Sequence, residues 1–349
     1  MRTADFDYEL PQELIAQTPV EPRDASRLLV IDRATGEIEH RRFFELPEWL
    51  RPGDLLVYNE SRVIPARLFA RKETGGKVEI LLLRRHDSHT WEALVGGRRI
   101  RLGSRLTLLN GPDGPPTGTT VEVTEVGAGA NRVLRFNQPV LALAERLGAT
   151  PLPPYIHTPL ADAERYQTVY ARTPGSAAAP TAGLHFTPAL LERLRAMGAR
   201  STFVTLHIGL DTFQPVTEEC VQDHEIHTEY ALLTSETARA IAETRQSGSR
   251  VVAVGTTSVR VLETAALKAE TSDQGQIIRP FEGPTDLFIY PGYHHRVVDT
   301  LITNFHLPRS TLLMLVAAFA GKELIDRAYA EAIDMRYRFY SFGDAMLIL

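Results

Sequence analysis

Side chains that can bind anions or move protons recur where predicted strands end and helices begin. The first such place is the segment 175–187, GSAAAPTAGLHFT, which is too rich in small residues to form a core and too apolar for an ordinary solvated loop. Thr187 can cap the helix that follows, Pro188 suits its first position, and Gly198 ends it. His185 therefore lies beside a helix N-terminus, which favours a carboxylate or phosphate. The segment is interpreted as a backbone cradle for a ligand.

Two further segments have the same strand-to-helix layout. The segment 255–258, GTTS, lies between an apolar strand and a helix, which is where open α/β sheets bind ligands. It lacks GxGxxG and a Walker lysine, so neither NAD nor ATP is indicated. In the segment 303–310, TNFHLPRS, Asn304 can offer both a donor and an acceptor to a base edge, and His306 can accept a proton near neutral pH. A plain strand-to-helix turn is the alternative for the GTTS segment.

The remaining histidines give weaker signals. His207 ends a predicted strand just before a glycine, where a satisfied core histidine is the alternative. His224 and His227 are three residues apart, with neither an HExxH pattern nor a third ligand nearby, so no metal site is predicted. The aromatic stretch 337–344, YRFYSFGD, suits either core packing or stacking on a flat base, with Asp344 as a hydrogen-bonding group.

The composition indicates a soluble globular protein. The chain has 349 residues, of which 44% are hydrophobic and 23% charged, which is enough for two domains and a sizeable core. A single cysteine, Cys220, excludes an internal disulfide framework and indicates a reducing compartment, with the cytoplasm as the default. No signal peptide is expected, and the longest apolar run, 312–320, is too short to span a bilayer.

The net charge of −5 hides an asymmetry. Residues 62–105 contain eleven Lys or Arg against four acidic residues, whereas the rest of the chain is acidic. A basic module on an acidic body is typical of a protein that docks a polyanion on one surface. The alternative is that these charges are the outward positions of solvated strands.

The basic stretch also interrupts the predicted domain organisation. From about residue 63 to 137 the pattern is one of short strands separated by Gly and Pro turns, which predicts a small antiparallel β-barrel. Strands and helices alternate after residue 150, so the body is predicted to be α/β. We predict a discontinuous α/β body, 1–62 and 150–349, with an inserted barrel domain, 63–149. Local predictions include a helix at 11–17, a strand at 287–290 and a helix at 259–267.

Several long motifs carry a family resemblance that covers essentially the whole chain in order. They are FDYELPQELIAQ, GDLLVYNESRVIPARL, GSAAAPTAGLHFT, TLHIGLDTF, HTEYALL, VGTTSVRVLE, TNFHLPRSTLLML and YSFGDAMLI. Together they resemble the S-adenosylmethionine:tRNA ribosyltransferase-isomerase family of queuosine biosynthesis.

The resemblance implies both a fold and a reaction. The fold is an α/β body with an inserted β-barrel. S-adenosylmethionine donates its ribosyl moiety to 7-aminomethyl-7-deazaguanine at the wobble position of a tRNA. Adenine and methionine leave, and the sugar rearranges to give epoxyqueuosine. No metal or redox cofactor is required, because S-adenosylmethionine is consumed as a substrate.

The resemblance also suggests roles for the motif residues. A base must remove a proton beside the sulfonium, and His185, His207 and His306 have suitable side chains. Asn304 and Asp344 are candidates for assisting the departing adenine. The methionine carboxylate could bind at 185–187 or at 256–258. The small residues of 175–187 are expected to let the backbone approach S-adenosylmethionine or the wobble base, with His185 at the reacting centre.

The remaining predicted contacts fall into two sets. The predicted substrate-binding residues are Thr181, Gly183, Thr187, Thr256, Thr257, Ser258, Arg260, Asn304 and Ser310. The predicted tRNA-binding residues are Arg62, Arg67, Arg98, Arg99 and Arg101, which would hold phosphates and thereby position the tRNA without reading its sequence. The protein is expected to act as a monomer, away from membranes.

Two other classes of protein compete with this interpretation. An S-adenosylmethionine-dependent RNA methyltransferase would also need a basic face, but its glycine-rich loop would normally follow the first strand, where none is found. A non-catalytic RNA-binding module would need the barrel but not the Thr, His and Asn residues at successive strand ends.

Overall fold

The computed structural model describes residues 1–209, 215–271 and 275–349. The chain forms two compact units. The first comprises Met1–Glu60, Pro153–Arg172 and Pro180–Leu349, and the second comprises Ser61–Leu152 and Thr173–Ala179. The class is mixed α/β with a closed antiparallel barrel, as the sequence predicts.

The described residues of the first unit include nine strands in one sheet. They are β1 (Arg27–Ile31), β2 (Ile38–Arg42), β3 (Leu55–Asn59), β12 (Arg200–Leu206), β13 (Glu229–Leu233), β14 (Val251–Val254), β15 (Phe281–Thr285), β16 (Thr300–Asn304) and β17 (Ala345–Ile348). Their order across the sheet is β15-β13-β12-β3-β14-β16-β17-β1-β2. The central strands β3, β14 and β16 are buried along their whole length, as parallel strands covered on both faces are.

In the described part of this unit the sheet is accompanied by the α-helices α2 (Pro188–Ala196), α3 (Ser235–Gln246), α4 (Thr256–Glu270), α5 (Thr311–Ala320) and α6 (Lys322–Asp334). Thr187 caps α2 with Pro188 at its first position, and Ser310 caps α5, as predicted. No side chain caps α4, which begins directly after Gly255. The φ of Gly255 is +89°, a conformation that side chains rarely allow.

The second unit contains the barrel, whose strand order is β10-β7-β6-β5-β8-β9. These strands are β5 (Arg67–Lys72), β6 (Lys77–Arg85), β7 (Thr90–Gly96), β8 (Arg105–Leu109), β9 (Pro116–Val126) and β10 (Asn131–Phe136), followed by α1 (Val140–Leu147). Alternate residues point inward, as in the burial of Trp91, Ala93 and Val95 along β7. All six strands lie within the stretch of about 63–137 that the sequence predicts to form a barrel, because period-2 alternation and Gly turns mark them clearly.

A short parallel pair completes the second unit. Residues of β11 (Thr173–Ser176) pair with β4 (Ser61–Val63). The sequence prediction places 173–179 in the body, but this pairing groups Thr173–Ala179 with the second unit. A pairing between segments more than 100 residues apart leaves no local pattern to read.

Three local predictions are wrong. The helix predicted at 11–17 is only a 3₁₀ turn at Gln12–Leu14, and 287–290 is not a strand. The strand near that position is β15, which lies earlier and pairs with β13. The helix predicted to begin at 259 begins at Thr256, so the GTTS segment is the first turn of α4 and not a bend before it.

Within the described residues, no helix is both long enough and apolar enough to cross a membrane.

Gly148 provides a test of the barrel packing. It follows α1, and a Cβ added there would lie 1.9 Å from the carbonyl oxygen of Pro65 and 2.6 Å from that of Ala144. Because backbone atoms cannot move aside, we expect Gly148→Ala to lower the free energy of unfolding by about 1–3 kcal/mol. Gly76→Ala is the control, since its nearest neighbour is the flexible side chain of Lys72 at 3.6 Å. Equal melting temperatures for the two variants would contradict this account.

Candidate active site

Polar residues gather at one edge of the nine-stranded sheet. The strands β12, β3, β14 and β16 are mutually parallel, so their carboxyl ends share this edge. The strands β13 and β17 run in the opposite direction to their neighbours β12 and β16, and β1 is parallel to β17, so their amino ends lie there as well. The carboxyl edge of parallel strands is where α/β sheets bind ligands. The polar residues at this edge are Glu229, His207, Asn59, Thr257, Asn304, Asp344 and Ser26.

His185 and Asn304 form the centre of one buried network. Nδ2 of Asn304 is 3.1 Å from Nε2 of His185 and donates to the carbonyl oxygen of Tyr340 at 3.2 Å. Thr181 donates to Oδ1 of Asn304 at 3.0 Å, so both ends of the amide are fixed. Nε2 of His185 is therefore an acceptor, and its Nδ1–H donates to Oγ of Ser26 at 2.8 Å. Both ring nitrogens are thus engaged within the protein.

A small cleft lies beside this network. His185, Ser26, Arg23, Arg165 and Ser341 are among the residues that line it. Burial, with smaller contributions from the charges of Arg338 and Arg23, lowers the pKa of His185 to about 3. The imidazole is therefore neutral throughout the neutral pH range. Sequence reasoning did not single out Ser26 or Arg23, because only the fold brings them next to His185.

Gly183 is closely packed against two other side chains of the first unit. A Cβ at this position would lie 2.1 Å from the Tyr170 hydroxyl and 2.7 Å from Cγ2 of Thr168. The space that the missing side chain leaves is filled by Tyr170 and Thr168, and not by an approaching ligand. Thr181–His185 forms a 3₁₀ turn in the first unit, whereas 175–179 belongs to the second. Packing therefore requires a glycine at position 183, and the substrate contact of Gly183 stays a prediction.

The other two histidines differ in exposure. His306 is buried, its Nε2 shares a hydrogen bond of 2.8 Å with Oγ1 of Thr303, and its backbone N–H donates to the Tyr329 hydroxyl at 2.9 Å. Burial lowers its pKa to about 3. His207 follows β12, is only half-buried, and stacks on Tyr230 with ring centroids 5.4 Å apart. Burial lowers its pKa to about 4.

Three predicted substrate-binding hydroxyls have structural roles instead. Oγ1 of Thr187 accepts from the backbone N–H of Leu190 and donates to Asp24. Oγ of Ser310 accepts from the N–H of Leu313 and donates to a backbone carbonyl. Oγ of Ser258 donates to the carbonyl oxygen of Val254. Capping and helix bonding thus engage these three hydroxyls, and their contact with substrate stays a prediction.

Asp344 is also held by the fold. One carboxylate oxygen accepts from the backbone N–H of Arg27 at 2.8 Å, and the other accepts from Nε of Arg27 at 3.1 Å and from the N–H of Arg338 at 2.8 Å. Asp344 is 2% exposed. With both oxygens accepting from these donors, it ties β1 to the C-terminal segment, and its role at adenine stays a prediction.

Asn59 connects the first turn of α4 to the polar edge of the sheet by hydrogen bonds. Nδ2 of Asn59 donates to Oγ1 of Thr257 at 3.2 Å and to the carbonyl oxygen of Leu206 at 3.0 Å, while its Oδ1 accepts from the Leu206 N–H. Thr256, beside Thr257, is buried as well. The signal for Asn59 was an amide side chain at the last position of an apolar strand, LLVYN.

Arg260 lies one turn further along α4 and pairs with Glu229, which sequence reasoning did not assign. The two side chains are 8% and 6% exposed, and NH1 of Arg260 donates to Oε2 of Glu229. Nε of Arg260 also donates to the carbonyl oxygen of Leu287 at 3.1 Å. Glu229 accepts from the backbone N–H of Gly209 through its other oxygen.

The predicted tRNA-binding arginines of the second unit fall into two groups. Arg98, Arg99 and Arg101 are exposed on the turn between β7 and β8, around the buried Ile100. Among the described residues none of these three guanidinium groups forms an ion pair, whereas Arg67 pairs with Glu79. Arg62 is half-buried in β4.

No group of three or more His, Cys, Asp or Glu side chains within 1–209, 215–271 and 275–349 could hold a metal ion. His224 instead contacts Glu218, with 2.9 Å between Nδ1 and Oε2.

Comparisons with known proteins assign the family. The family model described as "Queuosine biosynthesis protein" matches residues 3–348. Proteins named S-adenosylmethionine:tRNA ribosyltransferase-isomerase from Symbiobacterium thermophilum and Dehalococcoides mccartyi are 58% and 54% identical to this chain, with all of each chain covered. A crystal structure titled S-adenosylmethionine tRNA ribosyltransferase, from Thermotoga maritima, is 44% identical, covers 99% of this chain and 100% of its own, and superposes with a TM-score of 0.56.

The fold and the full-length matches define a transferase. The chain belongs to the queuosine biosynthesis family of ribosyltransferase-isomerases.

The buried histidines predict a specific dependence of stability on pH. His306 is neutral in the folded state, where its pKa is about 3, and has an ordinary pKa of 6.5 when unfolded. As the pH falls below 6.5, the unfolded state binds a proton that the folded state does not, so stability is lost. At pH 5 this costs about 2 kcal/mol.

We therefore expect His306→Gln to lose less stability than the wild type between pH 7.5 and pH 5, measured by chemical denaturation at both values. His157→Gln, at an exposed histidine, is the control and should keep the wild-type pH dependence. An unchanged pH dependence in His306→Gln would show that His306 is not held neutral.

Proposed function

We propose that this protein transfers the ribosyl moiety of S-adenosylmethionine to 7-aminomethyl-7-deazaguanine at the wobble position of a tRNA and isomerises it to epoxyqueuosine. S-adenosylmethionine is consumed as a substrate, and no metal or redox cofactor takes part. Two observations support the substrates: the names of full-length relatives contain S-adenosylmethionine and tRNA, and the motifs identified in the sequence cover the whole chain.

One structural observation carries the mechanism: a neutral, half-buried histidine lies at the ligand-binding edge of the sheet. His207 follows β12 directly, and its pKa of about 4 keeps the imidazole unprotonated at neutral pH. The positive sulfur of S-adenosylmethionine acidifies the neighbouring carbon, so a neutral imidazole can remove a proton there. Adenine and methionine then leave as the sugar rearranges.

His207 is favoured over the other two histidines by its exposure. His185 and His306 are 4% and 7% exposed, whereas His207 is half-buried. A base needs to reach the carbon that it deprotonates, and an imidazole that is partly exposed at the edge of the sheet reaches a bound substrate more readily than a buried one. We therefore propose His207 as the base, and His185 as a positioning residue that holds Asn304 and Thr181 in place.

The exposed turn of the barrel supports a tRNA contact. Arg98, Arg99 and Arg101 present three guanidinium groups on one turn anchored by Ile100. Arginines without acidic partners can form bidentate bonds with phosphate, while arginines already in ion pairs would first have to break them. We propose that this turn holds tRNA phosphates, with Arg62 and Arg67 in supporting positions.

Two expectations from the sequence stay predictions: a monomeric state and action in the cytoplasm. The free, exposed Cys220 agrees with a reducing compartment.

Product analysis tests the function and the base together. Incubation with S-adenosylmethionine and a tRNA carrying the aminomethyl deazaguanine should release adenine and methionine. His207→Gln should lower kcat by about 10²–10⁴-fold, because general-base catalysis contributes that much. Release of S-adenosylhomocysteine would instead indicate a methyltransferase, and intact tRNA binding without turnover would indicate a binding module.

His295→Gln is the matched control for His207→Gln. His295 is also half-buried, and burial likewise lowers its pKa to about 4, but it lies away from the strand ends that form the edge. The active form of His207 is the neutral imidazole. Protonation of His207 should therefore not lower kcat/KM between pH 8 and about pH 5, and should lower it as the pH approaches 4. An acid limb near pH 6.5 that disappears in His207→Gln would contradict the lowered pKa.

Charge reversal tests the barrel turn. We expect the combined substitution of Arg98, Arg99 and Arg101 by glutamate to weaken tRNA binding and to flatten its salt dependence, because each phosphate contact adds about 0.7–0.9 to the slope of log K against log salt. Neutralisation of Lys77 and Arg84, which already pair with Asp113 and Glu92, is the control and should have a smaller effect. An unchanged salt slope in the triple variant would remove the turn from the tRNA-binding surface.

A further inference from the structure

A cavity of about 230 Å³ in the first unit has no role in the mechanism described so far. Arg260, Glu229, Glu225, Phe288, Leu312 and Leu315 are among the residues that line it. We propose that this cavity binds the methionine portion of S-adenosylmethionine, with the carboxylate on Arg260. The inference rests on the proposed function and adds to it the place where the amino-acid end of the substrate is held.

The buried ion pair in the cavity wall is the first argument. Removing Arg260 and Glu229 from water is costly, and a buried pair of this kind contributes little to stability compared with apolar packing. A fold that keeps such a pair beside a cavity gains a fixed charge that a ligand can use. The carboxylate of Glu229 holds the guanidinium in place through one oxygen and is itself held by the N–H of Gly209 through the other.

Arg260 retains donor capacity for an anion. A guanidinium has five N–H groups. Within the described part of the chain, Arg260 makes three hydrogen bonds: to Glu229, to the carbonyl oxygen of Leu287 and, at 3.4 Å, to that of Thr285. Two N–H groups remain for a ligand carboxylate, and Arg is the side chain best suited to bind one in a fixed orientation.

The other residues that line the cavity suit the ammonium, sulfonium and methylene groups of the methionine portion. The carboxylates of Glu225 and Glu218 also line the cavity and favour the positively charged ammonium and sulfonium. Leu312 and Leu315 extend from the first turns of α5 and supply an apolar wall for the methylene groups. A free phosphate or a simple dicarboxylate would be repelled by the same acidic residues.

The size and the position of the cavity also suit the methionine portion of S-adenosylmethionine. About 300 Å³ is the lower limit for pockets that hold drug-sized ligands, so this cavity fits an amino-acid portion and not the whole nucleoside. Glu229 begins β13, and the neighbouring strand β12 leads directly into His207. A methionine bound on Arg260 would therefore lie beside the strand end that carries the proposed base.

Calorimetric titration of the full-length protein with L-methionine tests this assignment. We expect L-methionine to bind and L-methioninol, which lacks the carboxylate, to bind at least 10-fold more weakly. Leu312→Trp fills the cavity and should weaken L-methionine binding at least 10-fold. In the activity assay it should raise KM for S-adenosylmethionine at least 10-fold and leave tRNA affinity unchanged.

Leu191→Trp is the matched control, because Leu191 is also a half-buried helical leucine but packs against the core of the sheet outside this cavity. If Leu312→Trp does not fold, Glu225→Lys decides: Glu225 is exposed, and a lysine there should repel the ligand ammonium and weaken L-methionine binding.

Three results would overturn the assignment: no binding of L-methionine, equal binding of L-methionine and L-methioninol, or binding of adenine that Leu312→Trp abolishes. If wild-type protein still releases adenine and methionine, such a result removes this cavity and leaves the proposed function standing. If wild-type protein releases neither, the function itself is refuted.

Discussion

The pairing of β17 with β16 on one side and β1 on the other holds the first unit together. The last strand of the chain runs antiparallel to β16, with Asn304 opposite Ala345, and parallel to β1, with Leu28 opposite Ala345. All four residues of β17 are buried. The N-terminal hairpin is thus joined to the parallel strands through the C-terminus. This reversal of direction brings Ser26 and Asp344 to the same edge as Asn304.

The edge stays ordered because its buried polar groups have partners. Both oxygens of Asp344 accept hydrogen bonds, the Asn304 amide is fixed at both ends, and Arg260 is bonded to a carboxylate and two carbonyl oxygens. A buried polar group without a partner is costly, so these networks specify one arrangement of the strand ends. The same burial keeps the three histidines neutral, which suits a proton acceptor but lowers stability in acid.

The sequence predicts well what local patterns encode. The barrel strands follow from alternation and Gly turns, and the helix after 187 follows from Thr187, Pro188 and Gly198, whose spacing is a property of a single turn. The pairs β4–β11 and β13–β15 were missed because their partners are distant in sequence. For the same reason, the sequence showed an excess of basic residues but not that Arg67 pairs with Glu79, whereas Arg98, Arg99 and Arg101 form no ion pair within the described part of the chain.

The candidate site likewise contains some residues that the sequence reveals and others that only the fold reveals. Asn304, His207 and Arg260 were visible as polar residues that follow apolar strands, but Ser26 and Glu229 acquire a role only from strand order.

The order of the strands also determines where the functional groups lie along the edge. The Arg260 cavity lies by β13, His207 follows β12, and the Asn59–Thr257 contact joins β3 to the helix after β14. Neighbouring strands are about 4.8 Å apart, so β13 and β14 are separated by roughly 14 Å. If the amino-acid end of S-adenosylmethionine is bound on Arg260, its sugar falls near His207 and its base toward Thr257. The substrate would then lie along the edge of the sheet, across the four strand ends from β13 to β14, and the burial of His185 at the far end of the edge would follow from its role in holding Asn304.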